Sequence, residues 1–190
     1  MNKKILIFAT ALLAVAMLAT PLFGTAQACG WRRPFATKTL TGSYYIYPES
    51  TQFDWGPYAT VYPESAHTYS PGEDFVIVWK DVPVEWTGDI AGCGTYSGVW
   101  FVNDFFTEDG ETKAYGIFVI DDAEVEGVGT GKLVIYGEAY TVGLVDVYNS
   151  IRVLWGTGDL RGIKGSGTSV VDPTSMGKIY DYTMEVKIRT

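Results

Sequence analysis

The chain has 190 residues, with 22 acidic and 14 basic side chains, one histidine and a formal net charge of −8. No basic cluster offsets that charge, which argues against nucleic acid and against an anionic lipid surface as partners. Aromatic residues make up 15% of the chain and glycines number 22, a composition that suits short strands and many turns rather than helices.

The first segment reads as a leader. Lys3 and Lys4 precede a nearly continuous apolar run from Ile5 to Ala19, which is interrupted after Pro21. Ala26-Gln27-Ala28 then fits a small-x-small cleavage pattern, and the run is shorter than the ~20 residues a spanning helix needs. Residues 1–28 are therefore predicted to be a signal peptide. The mature protein is expected to be secreted or to sit on the cell-envelope exterior, with no membrane span. Losing Lys3 and Lys4 takes the net charge from −8 to −10. Residues 29–36 form a lead-in and residues 37–190 a single domain.

The two cysteines, Cys29 and Cys93, each sit beside a glycine. In an oxidising compartment such a pair favours a disulfide. Two free thiols, or a lipidated Cys29, remain as alternatives. The larger aliphatic residue of a lipidation motif is missing, because Ala26 and Gln27 occupy its place.

From residue 38 onward, short runs rich in Val, Ile, Tyr, Trp and Phe alternate with Gly, Asp and Pro. The first strand is predicted over 38–47. A Pro- and aromatic-rich excursion over 49–72 follows, flanked by two copies of Tyr-Pro-Glu-Ser, and its length suggests a lid. Residues 75–80 and 82–88 read as one long strand bulged between Asp81 and Pro83. Strands over 95–102 and 114–121 flank a polar turn with Asp109-Gly110. The acidic run Asp121-Asp122-Ala123-Glu124-Val125-Glu126 reads as a connection. Strands over 131–137, 139–148, 150–156 and 165–172 come next. In the last segment Tyr180, Tyr182, Met184, Val186 and Ile188 alternate with polar residues, the period of two of a strand with one face in a core.

The glycine-rich stretch Gly156-Thr157-Gly158-Asp159-Leu160-Arg161-Gly162-Ile163-Lys164-Gly165-Ser166-Gly167-Thr168 is not a phosphate loop. Lys164 lacks the Gly-Lys-Ser/Thr setting, and strand rather than helix follows. Gly88-Asp89-Ile90-Ala91-Gly92 echoes its Gly158-Asp159-Leu160-Arg161-Gly162 core. Followed by the closing Tyr180-Asp181-Tyr182 strand, this stretch resembles a hairpin pattern of small bacterial and archaeal proteins with the allene oxide cyclase-like barrel, an architecture shared by dirigent proteins. The resemblance covers about a fifth of the chain closely. It implies an all-β fold, a closed antiparallel β-barrel of about eight strands with an apolar interior cavity. The cyclase's catalytic motifs find no match in 38–47 or 75–88.

Few side chains point to chemistry. His67 lies in a polar loop without a nucleophile elbow. Asp146, aligned with Tyr140 and Val142 on a predicted strand, is a candidate buried acid. The acidic run 121–126 lacks calcium-loop spacing. No metal set and no cofactor motif is evident. Aromatics are the unusual feature: Trp79, Trp86, Trp100, Trp155 and Tyr182 fall in predicted strands and are the candidate ligand-binding wall, with plain core as the other role. Trp55 and Tyr58 are the candidate glycan contacts. Three functional readings follow: a binder of a small apolar or aromatic ligand in the barrel, a cyclase- or isomerase-like enzyme with an apolar cavity, and a structural or adhesive envelope protein. The sequence leans away from an enzyme.

Overall fold

The computed structural model describes residues 35–46, 56–63, 72–104, 107–143, 145–172, 175 and 179–189. Among the described residues nine strands follow in order: β1 (Phe35–Ile46), β2 (Ala59–Tyr62), β3 (Phe75–Gly88), β4 (Ile90–Asn103), β5 (Glu111–Val125), β6 (Gly129–Val142), β7 (Val145–Gly156), β8 (Lys164–Val171) and β9 (Ile179–Arg189).

All pairings are antiparallel and run β1-β9-β8-β7-β6-β5-β4-β3-β2. The ring closes because β1 also pairs with the second half of β3, from Gly42 opposite Gly88 to Ile46 opposite Val84. The first half of β3 is covered by β2, with Ala59 opposite Trp79. Eight strands thus form a closed barrel, and β2 sits beyond the end of β1 along the same edge of β3.

Alternation sends one set of side chains inward. Leu40, Tyr44, Val84, Trp86, Phe118, Ile120, Ile135, Ile151, Tyr182 and Met184 are all buried in one core. Each fully buried apolar side chain of this size contributes roughly 1.5–3 kcal/mol, an upper bound set by the unfolded reference. Aromatic rings carry much of the filling. Tyr44 stacks on Trp86 at 4.6 Å, and Phe118 meets Tyr44 at 5.1 Å and Tyr96 at 4.9 Å. Glycines make room for them. A Cβ on Gly116 would lie 2.6 Å from the Tyr96 Cζ and Oη atoms, and one on Gly137 would lie 3.0 Å from Phe118.

One end of the barrel is closed by hairpins. The β7–β8 connection inserts Leu160 and Ile163, both buried, beneath the core. The repeated Gly-Asp pair has a structural meaning here. Gly88 and Gly158 both adopt positive φ, 93° and 58°, which a side chain would disfavour. Each following aspartate then accepts from a neighbouring strand: Thr41 N–H donates to Asp89 Oδ2 at 2.7 Å, and Thr130 N–H to Asp159 Oδ2 at 3.2 Å.

Several boundaries differ from those expected. The β3 bulge falls between Trp79 and Val82, at Lys80-Asp81 rather than Asp81–Pro83. Asp81 takes the left-handed conformation, φ 52°, and its N–H donates to Ser97 Oγ at 2.9 Å. β2 lies inside the excursion predicted to be irregular. The acidic run is mostly strand: β5 continues to Val125 through a bulge between Ile120 and Ala123. The predicted strand over 139–148 is split between β6 and β7 at Gly143, φ 55°. Residues 49–55 and 64–71 of the excursion, Trp55 and His67 among them, lie outside the described residues.

Candidate functional site at the open end of the barrel

The end opposite the Leu160–Ile163 plug is where β3, β5, β7 and β9 begin and β4 and β6 finish. Register fixes which side chains face inward there. Phe118 is inward, so Gly116, Ala114 and Thr112 follow it on the same face of β5. On β6, Ile135 is inward and Gly137, Ala139 and Thr141 follow. Ala114 pairs directly with Ala139, and Thr112 with Thr141. All four are only partly buried although they face the interior. Among the described residues, inward side chains that small and partly open to water leave room at this level.

The walls beside this vestibule are aromatic and polar. Trp100 pairs with Ala114 across β4 and β5. Its indole Nε1–H donates to Tyr96 Oη at 3.1 Å and its ring meets Trp79 edge-on at 5.3 Å. Tyr180 stacks on Tyr44 at 5.0 Å with planes 6° apart. Together Tyr180, Tyr44, Trp86 and Phe118 make an aromatic floor.

The floor carries buried polar groups. The Tyr44 hydroxyl bonds Ser169 Oγ at 3.0 Å and also engages the Asn149 side chain. Asn149 and Ser169 are themselves buried. Burial, with Tyr180 alongside, holds the Tyr44 phenol far above the usual tyrosine range. Burial likewise raises Tyr96 to about 12. Both phenols therefore stay protonated and neutral at ordinary pH. Trp86 is 1% exposed, and among the described residues its Nε1–H has no hydrogen-bond partner. An unmet indole donor inside an apolar barrel is costly to leave unsatisfied. At the entry to β3, Glu73 has Oε2 occluded from solvent and also without a hydrogen-bond partner among the described residues.

Of the five residues proposed as a ligand wall, Trp79, Trp86 and Tyr182 are buried inward and Trp100 lines the vestibule. Tyr182 serves as a latch at the closed end: Ile90 N–H donates to its Oη at 2.8 Å. Trp155 requires correction. It pairs with Val134 on the outer wall and is 48% exposed, because Leu154 is an extra residue opposite the Val134–Ile135 step and turns the strand over. Asp146 pairs with Thr141 across the turn, on a different strand from Tyr140; its side chain lies outside the described residues. Tyr58 packs against the core.

Cys93 is exposed on the outer wall, opposite Glu85. Cys29 lies outside the described residues, and with it the expected pairing. Among the described residues no group of three metal-ligating side chains comes together, and no helix is long and apolar enough to cross a membrane. Within the acidic run, Asp121 pairs with Lys132 at 2.6 Å while Glu126 faces Lys38.

The vestibule residues Thr112, Ala114, Ala139 and Thr141 escape sequence reading because small residues carry no chemical signal. Their one available mark is parity: they fall in step with Phe118 and Ile135.

No family model matches the chain, and no curated protein matches it. Among solved structures, the pterocarpan synthase dirigent protein GePTS1 aligns with 90% of this chain and all of its own, at 14% identity and a TM-score of 0.45. The pterocarpan synthase dirigent protein PsPTS1 aligns with 85% of this chain and 99% of its own, at 13% identity and a TM-score of 0.43. The barrel itself rests on the chain's own strand pairing.

Proposed function

We propose that this protein binds one small, flat, apolar or aromatic molecule in the vestibule at the open end of the barrel. The observation that carries this reading is the pair of inward, partly exposed contacts, Ala114 with Ala139 and Thr112 with Thr141, above a floor of stacked rings. An apolar recess with a few convergent polar groups is the usual form of a small-molecule site. Ligand rings would stack on Tyr180 and Trp100, and one acceptor atom would meet the Tyr44–Ser169–Asn149 group. The leader-like first segment supports a site of action outside the cell.

The test is filling the recess. Ala139→Trp puts a large side chain into the vestibule without removing a core group. Native mass spectrometry of protein from its own host, and thermal shift against a panel of phenols and fused-ring compounds, then compare it with the parent. Ligand carried by the parent and lost in a folded Ala139→Trp variant supports the reading. Equal retention by both overturns it.

Glu73 favours a second reading, an enzyme of the cyclase or isomerase type. A carboxylate oxygen held away from water at the mouth is a group that could move a proton on a bound substrate. In that case Glu73→Gln keeps ligand binding and loses turnover.

A further inference from the structure

The outer wall over β4–β7 has a composition unlike the rest of the barrel surface. Alternation places three rows of side chains side by side there. Phe101, Lys113, Tyr140 and Tyr148 form one row through successive direct pairings. Val99, Tyr115, Glu138, Ser150 and Thr168 form the next. Ser97, Ile117, Tyr136, Arg152 and Ser166 form the third. Neighbouring strands in a sheet lie about 4.8 Å apart, so the rings of Phe101, Tyr115, Tyr136, Tyr140 and Tyr148 are interspersed with polar side chains across one face.

These groups hold one another in place. Glu138 sits at the centre: Tyr148 donates to its Oε1 at 3.0 Å and Tyr136 to its Oε2 at 3.3 Å. Tyr140 donates to Glu111 Oε1 at 2.7 Å. Lys113 lies over the Tyr140 ring at 5.4 Å, and Arg152 over Tyr136 at 5.7 Å. The Tyr140 and Tyr148 rings meet at 5.8 Å, and Tyr148 is 45% exposed. Each carboxylate oxygen keeps an acceptor position beyond its tyrosine. Fixed rings, spare acceptors and serine hydroxyls are thus displayed together.

Charge selects the occupant. Glu111 and Glu138 are offset by Lys113 and Arg152, so this patch is neutral on a chain of net −8. A second protein copy would have to bury four charges in the middle of the contact, whereas interface cores are depleted in Lys and Glu. A sugar ring answers the same surface differently. Its C–H face stacks on tyrosine, and its hydroxyl edge bonds to carboxylate, guanidinium and serine.

We propose that the β4–β7 outer wall, centred on Glu138 with Tyr136, Tyr140 and Tyr148, is a binding surface for neutral oligosaccharides. It is separate from the vestibule and independent of the ligand held there.

The test uses amide-resolved NMR titration of the full mature chain with cellohexaose, chitohexaose and xylohexaose up to about 10 mM, beyond the weak millimolar range. The expected result is saturable shifts confined to β4–β7 with at least one hexasaccharide, unchanged between low and high salt. Tyr148→Ala, at an exposed ring, should weaken that binding by about tenfold or more. Val170→Ala, exposed on β8 and outside the three rows, should leave it unchanged. No shift with any of the three sugars overturns the proposal. So does binding that appears only with an acidic polysaccharide and fades with salt. Sedimentation equilibrium is the remaining arm: a stable oligomer of the parent that Tyr148→Ala dissociates would show a second copy on this wall and refute the sugar assignment.

Discussion

Gly116→Ala tests whether the aromatic core is as tightly fixed as its geometry indicates. The new methyl would collide with Tyr96 Cε2 and lie 2.6 Å from its Cζ and Oη, so the ring or the β5 backbone must retreat by more than about an ångström to reach normal contact. The ring has little freedom to do so. Tyr96 is 6% exposed, lies 4.9 Å from Phe118, and receives the Trp100 indole hydrogen bond at 3.1 Å. Overpacking of this kind costs roughly 1–3 kcal/mol, and displacing the Trp100 bond adds about 1 kcal/mol. A loss of about 3 kcal/mol is therefore expected in urea unfolding at constant m-value. The same substitution in a Tyr96→Leu background removes the clash, so its cost there should fall by at least about 1 kcal/mol. A Gly116→Ala loss below about 0.5 kcal/mol, or an unchanged cost in the Tyr96→Leu background, would refute the packing argument.

Three further outcomes are expected. Tyr140→Phe removes the hydroxyl that lowers the Glu111 pKa, with Lys113 assisting, so the Glu111 carboxyl should titrate nearer its ordinary value of 4.5 by NMR. The depressed value means that this contact stabilises the fold above the unfolded pKa and is lost as pH falls through the folded one; an unmoved Glu111 titration counts against the bond. At alkaline pH the sign reverses: Tyr96 and Tyr182, raised to about 12 by burial, bind their protons more tightly folded than unfolded. Stability should then decline as pH rises from about 10 towards 12, and absorbance at the phenolate band should show these two ionising only with unfolding. Finally, the mature chain is expected to start at Cys29 and to be about 2 Da lighter than its reduced form, the mark of a Cys29–Cys93 disulfide; two thiols free to react before reduction would exclude it.

Much of the fold was legible where alternation is uninterrupted. β9 shows this best, since Tyr182, Met184 and Val186 are buried and their neighbours exposed, as the pattern predicts. Bulges are where legibility ends. One extra residue reverses every later side chain, and Leu154 did this to Trp155. Asp81 and Gly143 moved boundaries by the same local means, through left-handed backbone that the one-letter pattern does not display. β2 was missed because four residues among prolines and tyrosines carry too little periodicity. The vestibule was missed for a different reason: it is made by what Ala114 and Ala139 lack. The outer wall was hidden because Tyr136, Tyr140 and Tyr148 look like core residues until their parity with Glu138 is known.

The ring closure has a consequence for how the chain acquires its shape. β1 pairs with β3 along one edge but finds its longer partner in β9, with Phe35 opposite Arg189, so that second edge waits for β9. Until that final segment arrives, the sheet is an open ribbon with two unpaired edges, and loops of this span close slowly. A truncation within β9 would therefore do more than shorten the protein. It would leave β1 and β8 without their common neighbour, turning one continuous cylinder into an adhesive sheet. The pairing of β9, rather than any local motif, is the event that gives the molecule an inside and an outside.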